Sequence, residues 1–426
     1  MSARQWFCMV ALLSLALLVP GSTPRSAAGP LAPQATPVSG IIATDTTWTL
    51  AAHPYLVNGS VTVAAGVTLT IEPGVVVKFA SYSLDLWVDG TLIADTTPDA
   101  PIIYTSLRDD AAGGDTNGDG TATVPAPNDW GGLHFSATSQ GSVLDYAIVR
   151  YGGGYYAQAN VTLATAQITL THNTIARSFE HGLLVDGASP TIEYNTLRDN
   201  TDSGVATWNG SRPSLWANEI LSNTRNGVYS ASGSQPTLRA NQIAHNAQYG
   251  VYNADTAAVV DAVDNWWGTA SGPRHPVLNP TGAGDAVSDG VLFSPWLQGL
   301  AIVAPRGELL HGVQRLEWAV YGRDATTLTV SVSVAGAGGT RVLGNGLSPS
   351  GTLDWDTRTA EDGWYDLSLQ LRDGTSQLVA TAGKRVLVLN GSGTAWHEGR
   401  IGAGETWSAS LLHLVAADVT LSRGSR

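Results

Sequence analysis

Between Gly182 and Asn265 the sequence repeats itself. Four segments begin at Gly182, Gly204, Gly227 and Gly250, a period of 22 to 23 residues. In register, Pro190, Pro213 and Pro236 share a column, as do Asn195, Asn218 and Asn241, and Asn200, Asn223 and Asn246. A fixed period of this length marks a solenoid, in which each repeat touches only its neighbours and none can bury an apolar face alone. Each repeat holds three short strand-like pieces, for example Val205 to Thr207, Ser214 to Trp216 and Glu219 to Leu221, separated by Gly, Ser, Pro or Asn corners.

Three such pieces per turn, stacked about 4.8 Å apart, form parallel sheets around a shared core. Alternation selects the inward set: Leu183, Val185, Val205, Val228 and Val251 in the first piece, Ile192, Leu215 and Leu238 in the second, Ile175, Leu197, Ile220 and Ile243 in the third. The Asn columns fall at corners, where Asn suits left-handed or bridge backbone and stacked amides can bond from coil to coil. They read as structural ladders.

Upstream, the stretch TWTLAAHPYLVNGSVTVAAGVTLTIEPGVVVKF, followed by VDGTLIA, APIIYTS and NDWGGLHF, resembles the N-terminal coils of secreted right-handed parallel β-helix proteins of the pectin-lyase-like superfamily. The resemblance covers residues 39–299 and implies that fold. It does not imply an activity, because one scaffold hosts lyases, hydrolases, epimerases, adhesins and inert spacers.

Beyond VLFSPWL the period vanishes, and residues 300–391 alternate in runs such as RLEWAV, TLTVSVSV and WYDLSLQLRD, which predict a β-sandwich. The order of Trp318, the Leu353–Asp356 segment and Trp364-Tyr365 resembles bacterial immunoglobulin-like or fibronectin-type-III-like modules, with Trp318, Trp355, Trp364 and Tyr365 as core aromatics. Residues 392–426 then repeat the opening of the chain, pairing Trp407 with Trp48, Leu414-Val415 with Leu56-Val57 and Val419-Thr420 with Val61-Thr62. They read as the truncated start of a second β-helix. The expected fold class is therefore all-β: a right-handed parallel β-helix, a β-sandwich and the start of another helix.

At the N-terminus, Arg4, an apolar run from Trp6 to Val19 and a small-residue stretch reaching Ala28 have the order of a secretory signal, residues 1–28, followed by a linker at 29–38. The run is too short to span a bilayer, so no membrane span is expected. Removing the signal would also remove Cys8, the single cysteine, and with it any disulfide. Acids outnumber Lys and Arg by 35 to 22, leaving no basic stripe for phosphates and no nucleic-acid partner.

Two places carry chemistry. Asp115, Asn117 and Asp119, spaced two apart and followed by Gly120, match the first half of a calcium loop, with Asp129 or a carbonyl available to close it around a structural Ca²⁺. On the first sheet, alternation sends Tyr229 and Tyr252 outward one coil apart with Trp208 diagonal to them, a platform for sugar rings that Tyr155 and Tyr156 would extend. Hydrolysis of a glycoside needs two suitably spaced carboxyls, and no outward column stacks two acids: Asp186 stands alone, while Glu193, Trp216 and Arg239 share a column. Glu180, His181, Asp199 and Asp202 fall at corners, His172, His181 and His245 lack metal-ligand spacing, and no catalytic residue is assigned. The sequence thus describes a secreted or cell-surface β-helix protein acting as a glycan-binding, adhesive or structural module, with a polysaccharide as partner. The alternative is a lyase, hydrolase or epimerase on the same scaffold.

Overall fold

The computed structural model describes residues 35–154, 157–322 and 327–391, together with the backbone of Thr394–Ile401 and Leu412–Leu421. The expected signal and most of the linker, as well as Tyr155 and Tyr156, lie outside the described residues.

From Thr46 to Leu292 the chain winds as a parallel β-solenoid of about ten coils, the length of its ten-stranded sheet. Each coil contributes to three ladders. In the repeat these are His181–Asp186, Val205–Trp208, Asn226–Ser230 and Tyr249–Asn253 in the first, Thr191–Glu193, Ser214–Trp216 and Thr237–Arg239 in the second, and Thr196–Arg198, Glu219–Leu221 and Gln242–Ala244 in the third. Upstream, the long strand Tyr55–Val63 pairs with both Val76–Phe79 and Leu86–Val88 and so joins the first ladder to the third. Register follows the repeat: Val205 lies opposite Val228 and Val228 opposite Val251. Every residue that alternation sends inward is fully buried in one continuous apolar core.

Both Asn columns are buried ladders. In the first, the backbone N–H and Nδ2 of Asn195 donate to Oδ1 of Asn218, which does the same to Asn241, which does the same to Asn265. In the second, Asn200, Asn223 and Asn246 repeat the pattern, and Asp285 closes it by accepting from Asn246. The left-handed backbone falls one residue earlier than expected, on Tyr194, Ala217 and Ala240 in the first column and on Asp199, Ser222 and His245 in the second. The Asn side chains point into the coil to reach carbonyls such as Ile192 O, so the sharp turn is made by the residue before them.

Residues 300–388 form two sheets over a common core: Leu300–Ala304, Val313–Val320 and Gly351–Asp356 in one, and Thr329–Gly336, Gly339–Leu347, Gly363–Arg372, Leu378–Val388 and the short Leu309–Leu310 in the other. Trp318 and Trp355 are buried there and Tyr365 packs at the edge. Trp364 is not a core residue: it is 49% exposed, with the Arg385 guanidinium 5.1 Å from its ring, because alternation along its strand buries Leu367, Leu369 and Leu371 instead.

The sandwich is fastened to the solenoid. Tyr321 donates to the Ala240 carbonyl at 3.0 Å, and Arg306 pairs with Glu193 while stacking over Trp216 at 4.9 Å. The Glu193–Trp216 column thus serves the junction. Finally, Thr394–Ile401 runs parallel to Leu412–Leu421 with His397 opposite Val415 and Gly399 opposite Val419. The same two-residue slip occurs where Val38 faces Val57 and Gly40 faces Val61, so the second start repeats the first in backbone as well as sequence.

Candidate functional site

The first ladder carries a groove on its outer face. Its outward column runs through Leu184, Ala206, Tyr229 and Tyr252, each opposite the next. Small residues in the middle let neighbours close over them: Ala159, Leu184 and Ala206 are buried, with Trp208 and Tyr229 packed against them. Along this floor Trp208, Tyr229 and Tyr252 line a hollow of about 500 Å³ together with His181, Arg225 and Tyr249.

The three expected glycan residues therefore come together, in an arrangement alternation alone does not give. The Tyr229 and Tyr252 rings stack with centroids 5.9 Å apart, and His181 continues the stack 6.3 Å beyond Tyr229 while meeting Trp208 edge-on at 5.7 Å. Rings that cover one another's faces offer the groove their edges and hydroxyls. Among the described residues none bonds to the hydroxyls of Tyr229, Tyr249 or Tyr252, which leaves three phenols free to donate and accept.

His181 is the residue that the sequence reading placed wrongly in space. It is buried, because the strand begins at His181 and its side chain belongs to the ladder face. Burial pushes its imidazole below the ordinary value against the pull of Asp202, with Arg225 adding to the drop. The ring is thus neutral near pH 7, with its Nδ1 buried and making no hydrogen bond. Asp202 lies 3.8 Å from that nitrogen, but it is already engaged by Arg225 at 3.0 Å and Ser203 at 2.7 Å. The signal was present in the repeat: two places before Leu183, Val205, Val228 and Val251 stand His181, Ser203, Asn226 and Tyr249, three of which line the groove. By contrast, His172 and His245 are exposed left-handed corner residues, as expected.

A second hollow, also about 500 Å³, meets the first at Gln248, Tyr249 and Tyr252 and contains Arg274, His275 and Asp289. The groove therefore continues along the helix axis beyond the expected platform.

The acidic loop lies elsewhere, on the third ladder. Carboxylate oxygens of Asp110, Asp115 and Asp119 fall within 4.8 Å of one another. Asp110 Oδ1, Asn117 Oδ1 and Asp119 Oδ1 are buried there without a hydrogen-bond donor. Such oxygens suit a hard cation, so the donor set fits Ca²⁺. Lost hydration, then the neighbouring Asp115 charge, raises the Asp110 carboxyl above its usual range. Asp129 is held by Arg108 at 2.8 Å and Ser106 at 2.7 Å, and the carboxylate that joins Asp115 and Asp119 is Asp110. The buried Lys78 ties the loop down through Gly114 O and Thr116.

The family model described as the right handed beta helix region matches residues 132–267, the coils that build the groove. The solenoid of this chain has the fold of a right-handed parallel β-helix. It is similar to the periplasmic alginate epimerase AlgG over 61% of this chain and 83% of that one, at 13% identity and a TM-score of 0.27. The enzymatically active domain of tailspike protein 2 from bacteriophage CBA120 is similar over 82% of this chain and 72% of that one, at 11% identity and a TM-score of 0.29. No curated protein matches the chain. Among the described residues of this β-helix protein, no helix is long and apolar enough to cross a membrane.

Proposed function

We propose that this β-helix protein is a secreted or cell-surface glycan-binding module whose binding surface is the groove on the first ladder. The observation that carries the reading is the meeting of Trp208, Tyr229 and Tyr252 in one hollow with three uncommitted phenol hydroxyls. Aromatic edges and neutral hydroxyls match the mixed apolar and hydroxylated surface of a sugar chain. The charged, apolar and small-residue order before Ala28 supports export. In the same reading Asp110, Asp115, Asn117 and Asp119 hold a structural Ca²⁺ that relieves their crowded charge. A glycan-array screen of the exported chain tests the proposal: binding to at least one polysaccharide supports it, and no binding across the array refutes it.

A second reading, a carbohydrate-active enzyme, is favoured by His181. A neutral imidazole lining the hollow beside Arg225 and Tyr229 is a base next to a cation and a phenol, the groups that abstract and return a proton at a sugar carbon. Assays for unsaturated products, reducing ends and epimerised sugars on any bound polysaccharide decide it: turnover that His181→Ala abolishes establishes the enzyme, and unaltered polysaccharide leaves the binding module.

A further inference from the structure

The joined groove is balanced in charge on a strongly acidic chain. In the first hollow Arg225 is compensated by Asp202 at 3.0 Å, and burial keeps His181 uncharged. In the second, Arg274 and Asp289 line the same space. His275 contributes no charge of its own there: its Nδ1 accepts from the N–H groups of Val277 and Leu278, which puts the ring proton on Nε2, 3.2 Å from Asp289 Oδ1. The formal net charge of the whole chain is −13, so the surrounding field repels polyanions, and no surplus cation in the groove offsets it.

Apart from the Arg274 guanidinium, whose charge Asp289 balances in the same hollow, the groups that the groove leaves uncommitted are neutral: the hydroxyls of Tyr229, Tyr249 and Tyr252, and the Gln248 amide between the hollows. We propose that the groove, taken as the glycan site described above, selects a neutral, hydroxyl-rich polysaccharide chain over a polyanionic one. Recognition then rests on hydrogen bonds and aromatic contact, both of which salt screens little, whereas attraction of a polyanion would weaken as salt rises.

Calorimetric titration with dextran, galactomannan and xyloglucan on one side and polygalacturonate and alginate on the other, at low salt and after about a tenfold rise in NaCl, tests the selection. The expected result is tightest binding by a neutral chain, with a Kd that moves by less than about twofold between the two salts. Tighter binding of polygalacturonate or alginate that weakens with salt overturns the selectivity while leaving the groove as a glycan site. Binding of neither class, by contrast, overturns the glycan-groove reading itself.

The variant Asp202→Asn separates charge from shape. It keeps an oxygen to accept from Ser203 but releases Arg225 from its counter-charge. The ratio of acidic to neutral polysaccharide affinity should rise by about two- to fivefold, the usual range for one exposed charge pair. An unchanged preference in this variant contradicts the charge-balance argument.

Discussion

Asn195 and Asn218 sit one coil apart and meet twice: the backbone N–H of Asn195 reaches Oδ1 of Asn218 at 2.9 Å and its Nδ2 reaches the same oxygen at 3.2 Å. Asn218 passes the contact on to Asn241 and donates its own Nδ2 to the Ile192 carbonyl at 2.9 Å. Each link is buried, so removing one strands donors and acceptors on both neighbours. Asn218→Ala should therefore cost about 3 kcal/mol or more, since each buried unsatisfied group costs about 1–3 kcal/mol. Urea unfolding measures it, and a loss below about 0.5 kcal/mol, the range of ordinary surface changes, contradicts the ladder's role.

Much of this was legible in the sequence because a solenoid writes its structure as columns. The inward residues, the three ladders and the coil-to-coil Asn bonds follow from a period of 22 to 23 and a two-residue alternation. What alternation misses is what happens where a strand meets a corner. His181 precedes the Gly182 column and looks like turn polar matter, yet the strand extends back to include it. Asp110 lies outside the Asp115–Asn117–Asp119 spacing and reaches the same point only because the loop folds back on itself, fastened by Lys78. Trp364 was legible as an outward residue after all, because it shares a strand face with Asp366, Ser368 and Gln370 while Leu367, Leu369 and Leu371 take the other.

The acidic loop gives a prediction about metal. Calcium should raise the melting temperature and a chelator lower it, by the ordinary linkage of ligand binding to folding. Asp119→Asn and Asp110→Asn should each abolish most of that response, whereas Asp129→Asn should leave it intact, because Asp129 is spent on Arg108 and Ser106. Melting that ignores chelation refutes the site. Dependence on Asp129 but not Asp110 refutes this donor set.

His181 gives one about pH. Its native imidazole resists protonation below the ordinary value of 6.5, mainly through burial. The unfolded chain binds that proton as pH falls through about 6.5 and the native chain does not, so stability should fall with decreasing pH from there down to the native value. His181→Gln should flatten that part of the profile. Urea midpoints measured from about pH 7.5 down to about pH 5 check it, and an identical slope in the variant contradicts the assignment.

At the junction, Arg306 joins the sandwich to Glu193 and Trp216 of the solenoid. Arg306→Ala should loosen that fastening while leaving each core intact. Limited proteolysis should then cut faster between the two parts, with little change in the unfolding of either. Unchanged cleavage shows that Tyr321 and Trp266, whose rings stack at 6.2 Å, suffice.

Replacing both Tyr229 and Tyr252 with Ala removes the stacked pair that lines the groove. Titration of the parent chain and the Tyr229→Ala/Tyr252→Ala variant with the polysaccharide that binds best should show affinity about ten- to a hundredfold weaker, at about 1 kcal/mol per aromatic contact. Parallel-sheet circular dichroism and cooperative unfolding should be retained, since the solenoid core lies on the other side of the strands. Undiminished affinity in a folded variant would show that Tyr229 and Tyr252 are not the binding surface.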